Sequence, residues 1–242
     1  MKLPIFLSIF FISITAIAQR PVAVIELFTS QGCSSCPPAD KLLAQTIREA
    51  KKDGQNIIAL SFHVDYWNRL GWADPFSDQA YSQRQSDYVE AMHLRSAYTP
   101  QMVVNGRDEF VGSNSKDLKA ALEKALKDKP AAAFKTLGAT ANGSQPPRLN
   151  YELEGDYAGC ELHFALVSLT ETTAVKRGEN GGRELENANV VRQFITIPAQ
   201  ASGEVVFEAA PLPSTANLGI IGYIQHPDGR IVGAAVAKMD FH

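Results

Sequence analysis

The strongest constraint on the fold is a change of periodicity near Pro130. Before it, short apolar runs alternate with stretches of helical spacing. PVAVIELF, residues 21–28, is continuously apolar and rich in β-branched side chains, as expected of a buried parallel strand. ADKLLAQTIREAKK follows, with Leu42, Leu43, Ile47 and Ala50 on one helical face and Gly54 placed for a left-handed C-cap. NIIALSFHVDYW reads as a second buried strand and FSDQAYSQRQSDYVEAMHL as a helix. QMVVNGRDEFVGS reads as a hairpin, because Asn105-Gly106 suits a type I′ turn. SKDLKAALEKALKDK is an amphipathic helix with Ser115 expected at its N-cap. The order is β-α-β-α-β-β-α.

Beyond Pro130 the helical spacing disappears. RLNYELEG, ELHFALVSL, VVRQFITIP, EVVFEAA, NLGIIGYIQ and RIVGAAVAK are short alternating segments divided by turn signals such as Pro146-Pro147 and Pro227-Asp228-Gly229. Strands at that spacing predict an antiparallel β-sandwich. KRGENGGRELENAN reads as a long glycine-rich loop between two of them. Charge supports the division: residues 19–130 carry 14 basic and 14 acidic side chains, against 8 and 12 in residues 131–242. The expected organisation is a leader over 1–18, an α/β domain over 19–130 and a β-sandwich domain over 131–242.

The leader is MKLPIFLSIFFISITAIAQR. Lys2 precedes an apolar run, and Ala16 and Ala18 frame a small-residue cleavage site, so cleavage is expected after Ala18. The run is short for a membrane span, and no later segment replaces it. The protein is therefore expected in the periplasm or outside the cell, where disulfides persist. A net charge of −3, without any Lys/Arg run, speaks against nucleic-acid partners. No cofactor is expected. The 3 cysteines allow one bonded pair and leave one over.

The pair lies in GCSSCPPAD, directly after the first strand. Cys33 and Cys36 form a CxxC, which admits three readings. Thiol–disulfide exchange needs a thiolate, and a helix N-terminus, turn amides and the Ser34 and Ser35 hydroxyls would stabilise one. A soft metal such as Cu(I) would need a further ligand, with His63 the best candidate. A permanently oxidised pair in a binding module is the third, although so short a loop adds little chain entropy. Pro37 pushes Cys36 away from the helical region, so the helix is expected to begin at Pro37 or Pro38.

CxxC after the first strand of a β-α-β-α-β-β-α order resembles the thioredoxin-like superfamily. YTPQMVVNG, residues 98–106, resembles that superfamily's Thr-Pro segment. ELFTSQGCSSCPPAD, ALSFHVDYWNRLGWADPF, YTPQMVVNG and GENGGRELENANVVR together resemble one secreted bacterial family across nearly the whole chain, catalogued as domain of unknown function 1223. The superfamily resemblance implies a cis Pro100 facing the pair, with Thr99 before it. It implies Cys33 as exposed nucleophile, Cys36 as resolving thiol, and protein or peptide thiols and disulfides as partners. Family membership implies no substrate. Ser34-Ser35 replaces the Gly-Pro of thioredoxin, and no Trp precedes Cys33.

Other residues carry two readings each. Ligands in open parallel sheets bind beyond the carboxyl ends of strands, so His63, Asp65, Tyr66 and Trp67 can line the same cleft, with Asp65 moving protons and Trp67 or Trp72 holding a peptide, or they can simply cap core and turn. Glu26 in the first strand can be a buried proton acceptor beneath the pair or an edge-facing side chain. Cys160 reads as a small core residue. Asn180, Arg183, Asn187 and Arg192 either face the cleft or decorate a solvated hairpin.

Overall fold

The computed structural model describes residues 20–142, 145–208 and 214–241. The expected leader and its cleavage after Ala18 lie outside them. The first half follows the expected order: β1 (Ala23–Thr29), α1 (Pro37–Asp53), β2 (Ile57–His63), α2 (Gln79–Ala91), β3 (Gln101–Val104), β4 (Asp108–Val111) and α3 (Ser115–Ala125). Gly54 closes α1 with φ 66°. Asn105 and Gly106 both have positive φ, 49° and 62°, as a type I′ turn demands. The N-cap of α3 is Asn114 rather than Ser115: its side chain accepts from the Lys116 and Asp117 N–H groups.

Among its described residues the regular elements of the second half are one short 3₁₀ turn and eight strands: β5 (Ala132–Asn142), β6 (Gln145–Gly155), β7 (Glu161–Ala174), β8 (Glu184–Pro198), β9 (Ser202–Val206), β10 (Leu218–Gln225), β11 (Ile231–Val236) and β12 (Lys238–Phe241). Pro146-Pro147, read from sequence as a turn, instead opens β6, since the first residues of a strand tolerate proline.

The strands form an eight-stranded mixed sheet, β11-β10-β7-β8-β2-β1-β3-β4, and a four-stranded sheet, β12-β5-β6-β9. The halves therefore do not have separate sheets. β8 lies parallel to β2, with Ser61 opposite Val190, and the Asn189 side-chain amide donates to the Ala59 carbonyl at 2.8 Å. The four-stranded sheet packs over β7 and β10 through Leu149, Leu162, Phe164 and Ile220. A second docking point sets two turns against each other. A side chain at Gly106 would meet the Gly229 carbonyl oxygen at 1.8 Å, so position 106 needs glycine for space as well as for its φ.

β1 is buried along its whole length and separates two cores. Ile25 and Leu27 face α1 and α3, with Leu43, Met102 and Leu118. Val24 and Phe28 face α2, with Phe62, Tyr81, Tyr88 and Tyr223. Alternation along the strand assigns each side chain to one core.

Candidate functional site

The site grows from the end of β1. The chain turns through Ser30–Gly32 into the cysteine pair. The Cys33 N–H donates to the Ser30 carbonyl, and the Cys36 N–H to the Cys33 carbonyl, each at 3.2 Å. The sulfurs stand at disulfide distance, with the Cα atoms 5.5 Å apart. Cys36 is the N-cap of α1, and Pro37 and Pro38 fill the first helical positions. This arrangement corrects one expectation. A helix N-terminus usually offers unpaired N–H groups, but both prolines lack one, and the Ala39 and Asp40 N–H groups donate to the Cys36 carbonyl. α1 thus presents few donors to the sulfurs.

Cys33, expected exposed, is fully buried, as is Cys36. Two elements cover them. On one side stands Thr99-Pro100, whose peptide bond is cis. Ser35 Oγ lies 3.3 Å from Cys33 Sγ and donates to the Thr99 carbonyl at 3.5 Å. Trp67 Nε1 donates to Thr99 Oγ1 at 2.8 Å. On the other side lies the glycine-rich loop between β7 and β8. The Ser34 N–H donates to Glu179 Oε2 at 3.0 Å. Asn180 is wholly buried; its Nδ2 donates to the Gln31 carbonyl at 2.9 Å and the Cys33 carbonyl at 2.8 Å. Arg183 Nη1 donates to Asn180 Oδ1 at 2.7 Å. The exposed faces of the turn are Ser34 and Ser35.

A buried polar cluster adjoins the turn. Thr29 Oγ1 donates to Asp40 Oδ1 at 2.9 Å. Burial pushes the Asp40 carboxyl up to about 6, against the pull of nearby His63 and of the Thr29 hydrogen bond. His63 Nδ1 and Asp74 Oδ2 are 2.7 Å apart. Burial by itself would lower His63, but the Asp74 carboxylate outweighs it and raises the imidazole. Burial would likewise raise Asp74, yet His63 and the Gln31 and Phe76 N–H groups hold it low. Gln31 knits the cluster to the second half through Thr173 Oγ1 at 3.0 Å and Asn187 Oδ1 at 3.3 Å. Trp72 Nε1 donates to Gln31 Oε1 at 3.2 Å.

Sequence reasoning missed Asp40, Asp74, Gln31 and Glu179. Asp40 had a signal: with Leu43 and Ala44 it stands at i, i+3 and i+4 on the buried stripe of α1. Asp74 had none, because residues 65–76 carry no periodicity.

Glu26 sits elsewhere. It alternates with Val24 and Phe28 and therefore faces α2, whereas the helix that carries Cys36 covers the Ile25–Leu27 face. Its carboxylate accepts from Arg84 Nε at 2.6 Å, from Tyr223 OH at 3.0 Å and from Tyr88 OH. Asp65 bonds to Ser82 of α2, through its own N–H and its Oδ1. Arg192 donates to Ser168 and Glu171, both at 3.1 Å, and lies over the Phe76 ring. Cys160 is buried in the core between the two sheets. Among the described residues no group of three or more His, Cys, Asp or Glu is arranged to hold a metal ion, and no helix is long and apolar enough to cross a membrane. A cleft of about 580 Å³ opens between α2 and the β7–β8–β10 region, lined by Arg84, His163 and Phe194 but by neither cysteine.

Fold and site together define a mixed α/β protein with a covered CxxC pair at the start of a helix. The chain belongs to the family described as "Protein of unknown function (DUF1223)", which matches residues 24–225. It is similar to the crystal structure of a protein from Agrobacterium tumefaciens, at 27% identity and a TM-score of 0.65, over 91% of this chain and 96% of that one. No curated protein matches it.

Proposed function

We propose that this is a thioredoxin-like protein of the periplasm or cell exterior, and that Cys33 and Cys36 carry out thiol–disulfide exchange with protein or peptide thiols. The observation that carries the reading is the meeting of the pair with the cis Thr99–Pro100 peptide through Ser35. The order β-α-β-α-β-β-α, with the pair between the first strand and its helix, supports the same superfamily. In this reading the second half is a β-sandwich that borrows one sheet from the first. Cys33 is the sulfur attacked and Cys36 the leaving group, with the buried Asp40–His63–Asp74 cluster that adjoins the turn as a store of protons. Because both sulfurs are covered, exchange requires the β7–β8 loop to move.

A redox titration tests this. The protein is equilibrated in graded glutathione buffers, quenched and alkylated, and the labelled cysteines are mapped by mass spectrometry. Exchange predicts a reversible Cys33–Cys36 bond with a potential between about −120 and −270 mV, and Cys160 as a free thiol throughout. Cys36→Ser should then trap mixed disulfides with partners. The burial of both sulfurs favours one rival, a permanently oxidised pair in a binding module. That rival predicts a potential below about −300 mV and no trapped partner.

A further inference from the structure

We infer that Glu179 is a positioning residue for the cysteine pair: held over the turn by the β7–β8 loop, its carboxylate biases the pair toward the disulfide. The inference rests on the exchange reading above and concerns the step that reduces the pair. A thiolate of a partner dithiol bonds to Cys33 Sγ. The Cys33–Cys36 bond breaks, and its electron pair leaves on Cys36 Sγ. The partner's second thiolate then attacks the partner sulfur of the mixed disulfide, and Cys33 departs as a thiolate. The partner ends as a disulfide, and the pair holds its two electrons.

A thiolate at Cys33 needs hydrogen-bond donors or positive charge; the Ser35 hydroxyl stands 3.3 Å from Cys33 Sγ but also donates to the Thr99 carbonyl, and the backbone of the turn has few donors to add. The Cys33 and Cys36 N–H groups are bonded inside it. Pro37 and Pro38 have no N–H, and those of Ala39 and Asp40 are taken by the Cys36 carbonyl. The donor next in the chain to Cys33 is the Ser34 N–H, and Glu179 occupies it at 3.0 Å. The closed loop therefore withholds a donor and puts a negative charge in its place. Both effects disfavour the thiolate.

The loop is built to hold that carboxylate. Buried Asn180, the next residue, bonds to both the Gln31 and Cys33 carbonyls. Gly178 lies so near Trp72 that a side chain there would meet the Trp72 Cβ at 3.1 Å. Glu179 itself is exposed, so it adds little to packing. Its hydrogen bond is with the turn, from the Ser34 N–H.

Two variants separate charge from hydrogen bonding. Glu179→Gln keeps an acceptor for the Ser34 N–H and removes the charge; Glu179→Ala removes both. Each is equilibrated beside the wild-type protein in the same glutathione buffers. The reduced-to-oxidised ratio should rise roughly two- to fivefold in Glu179→Gln, the scale of one solvent-exposed charge close by. Glu179→Ala should rise at least as far. Alkylation of Cys33 in the reduced protein should quicken in both, while the thermal unfolding midpoint of the oxidised protein stays where it was. A Glu179→Gln ratio equal to wild type overturns the inference and leaves exchange standing. A pair that glutathione reduces in none of the three proteins overturns the exchange reading and this inference with it.

Discussion

Glu26 and Asp40 are both buried carboxylates of the first half, and their surroundings could hardly differ more. Glu26 faces α2 and is met by a guanidinium and two phenol hydroxyls. The Arg84 guanidinium lies over four aromatic rings, 5.0 Å from the centroids of Tyr88 and Phe194. Asp40, four residues after Cys36, has hydroxyl and amide donors, Thr29 and Asn187, and feels His63 through space, with no cation hydrogen-bonded to it among the described residues. A buried charge given a partner cation is a structural element. A buried carboxyl given neutral donors is held near its protonation point, at about 6. The first kind of site fixes the seam between the halves, and the second can exchange a proton close to the cysteine turn.

The largest expected effect comes from stripping Glu26 of its cation. Arg84→Met leaves a buried, uncompensated carboxylate and should cost about 3–5 kcal/mol in urea unfolding. A loss below 1 kcal/mol would erase the contrast with Asp40. The next effect is one of pH dependence. Because the folded Asp40 carboxyl sits at about 6 against an ordinary 3.8, the folded state holds the proton more tightly. Stability from this group is intact below pH 4 and declines as pH rises through 4 to 6. Asp40→Asn removes that decline, so relative to wild type it should gain on the order of 3 kcal/mol between pH 3.5 and pH 7. Parallel unfolding curves at the two pH values would show that Asp40 does not titrate in this range.

Finer probes sharpen the comparison. Tyr223→Phe deletes one donor to a charged carboxylate and should cost about 2 kcal/mol at neutral pH. Thr29→Val deletes the Asp40 donor at constant shape, with a smaller cost of about 1 kcal/mol. It should also move the Asp40 titration, followed by carbonyl stretching in the infrared, further up. A downward move would mean that Thr29 stabilises the protonated form instead.

The two carboxylates also measure what the sequence discloses. Glu26 stood out in an apolar run, and period-two alternation names its face. Which helix covers that face is a matter of tertiary path, and the sequence reading left it open between a place beneath the pair and the sheet edge. Asp40 was legible on the stripe of α1. The start of α1 at Pro37, the Asn-Gly hairpin and the β7–β8 loop could be read because each depends on local chemistry: proline's fitness for the first helical position, glycine's left-handed freedom, a break in alternation. Asp74 and Glu179 could not, since each meets its partner across an aperiodic segment. Nor could the shared sheet, where the pairing of β2 with β8 joins residues as distant as Ser61 and Val190.

A chain cut near Pro130 would strip β8 from β2 and bare a strand that is buried along almost its whole length. Such an edge recruits whatever strand is nearest, often another copy of itself. The first half should therefore aggregate when expressed alone. In this chain the two textures are thus not modules that a cut between them would leave intact; they fold as one piece.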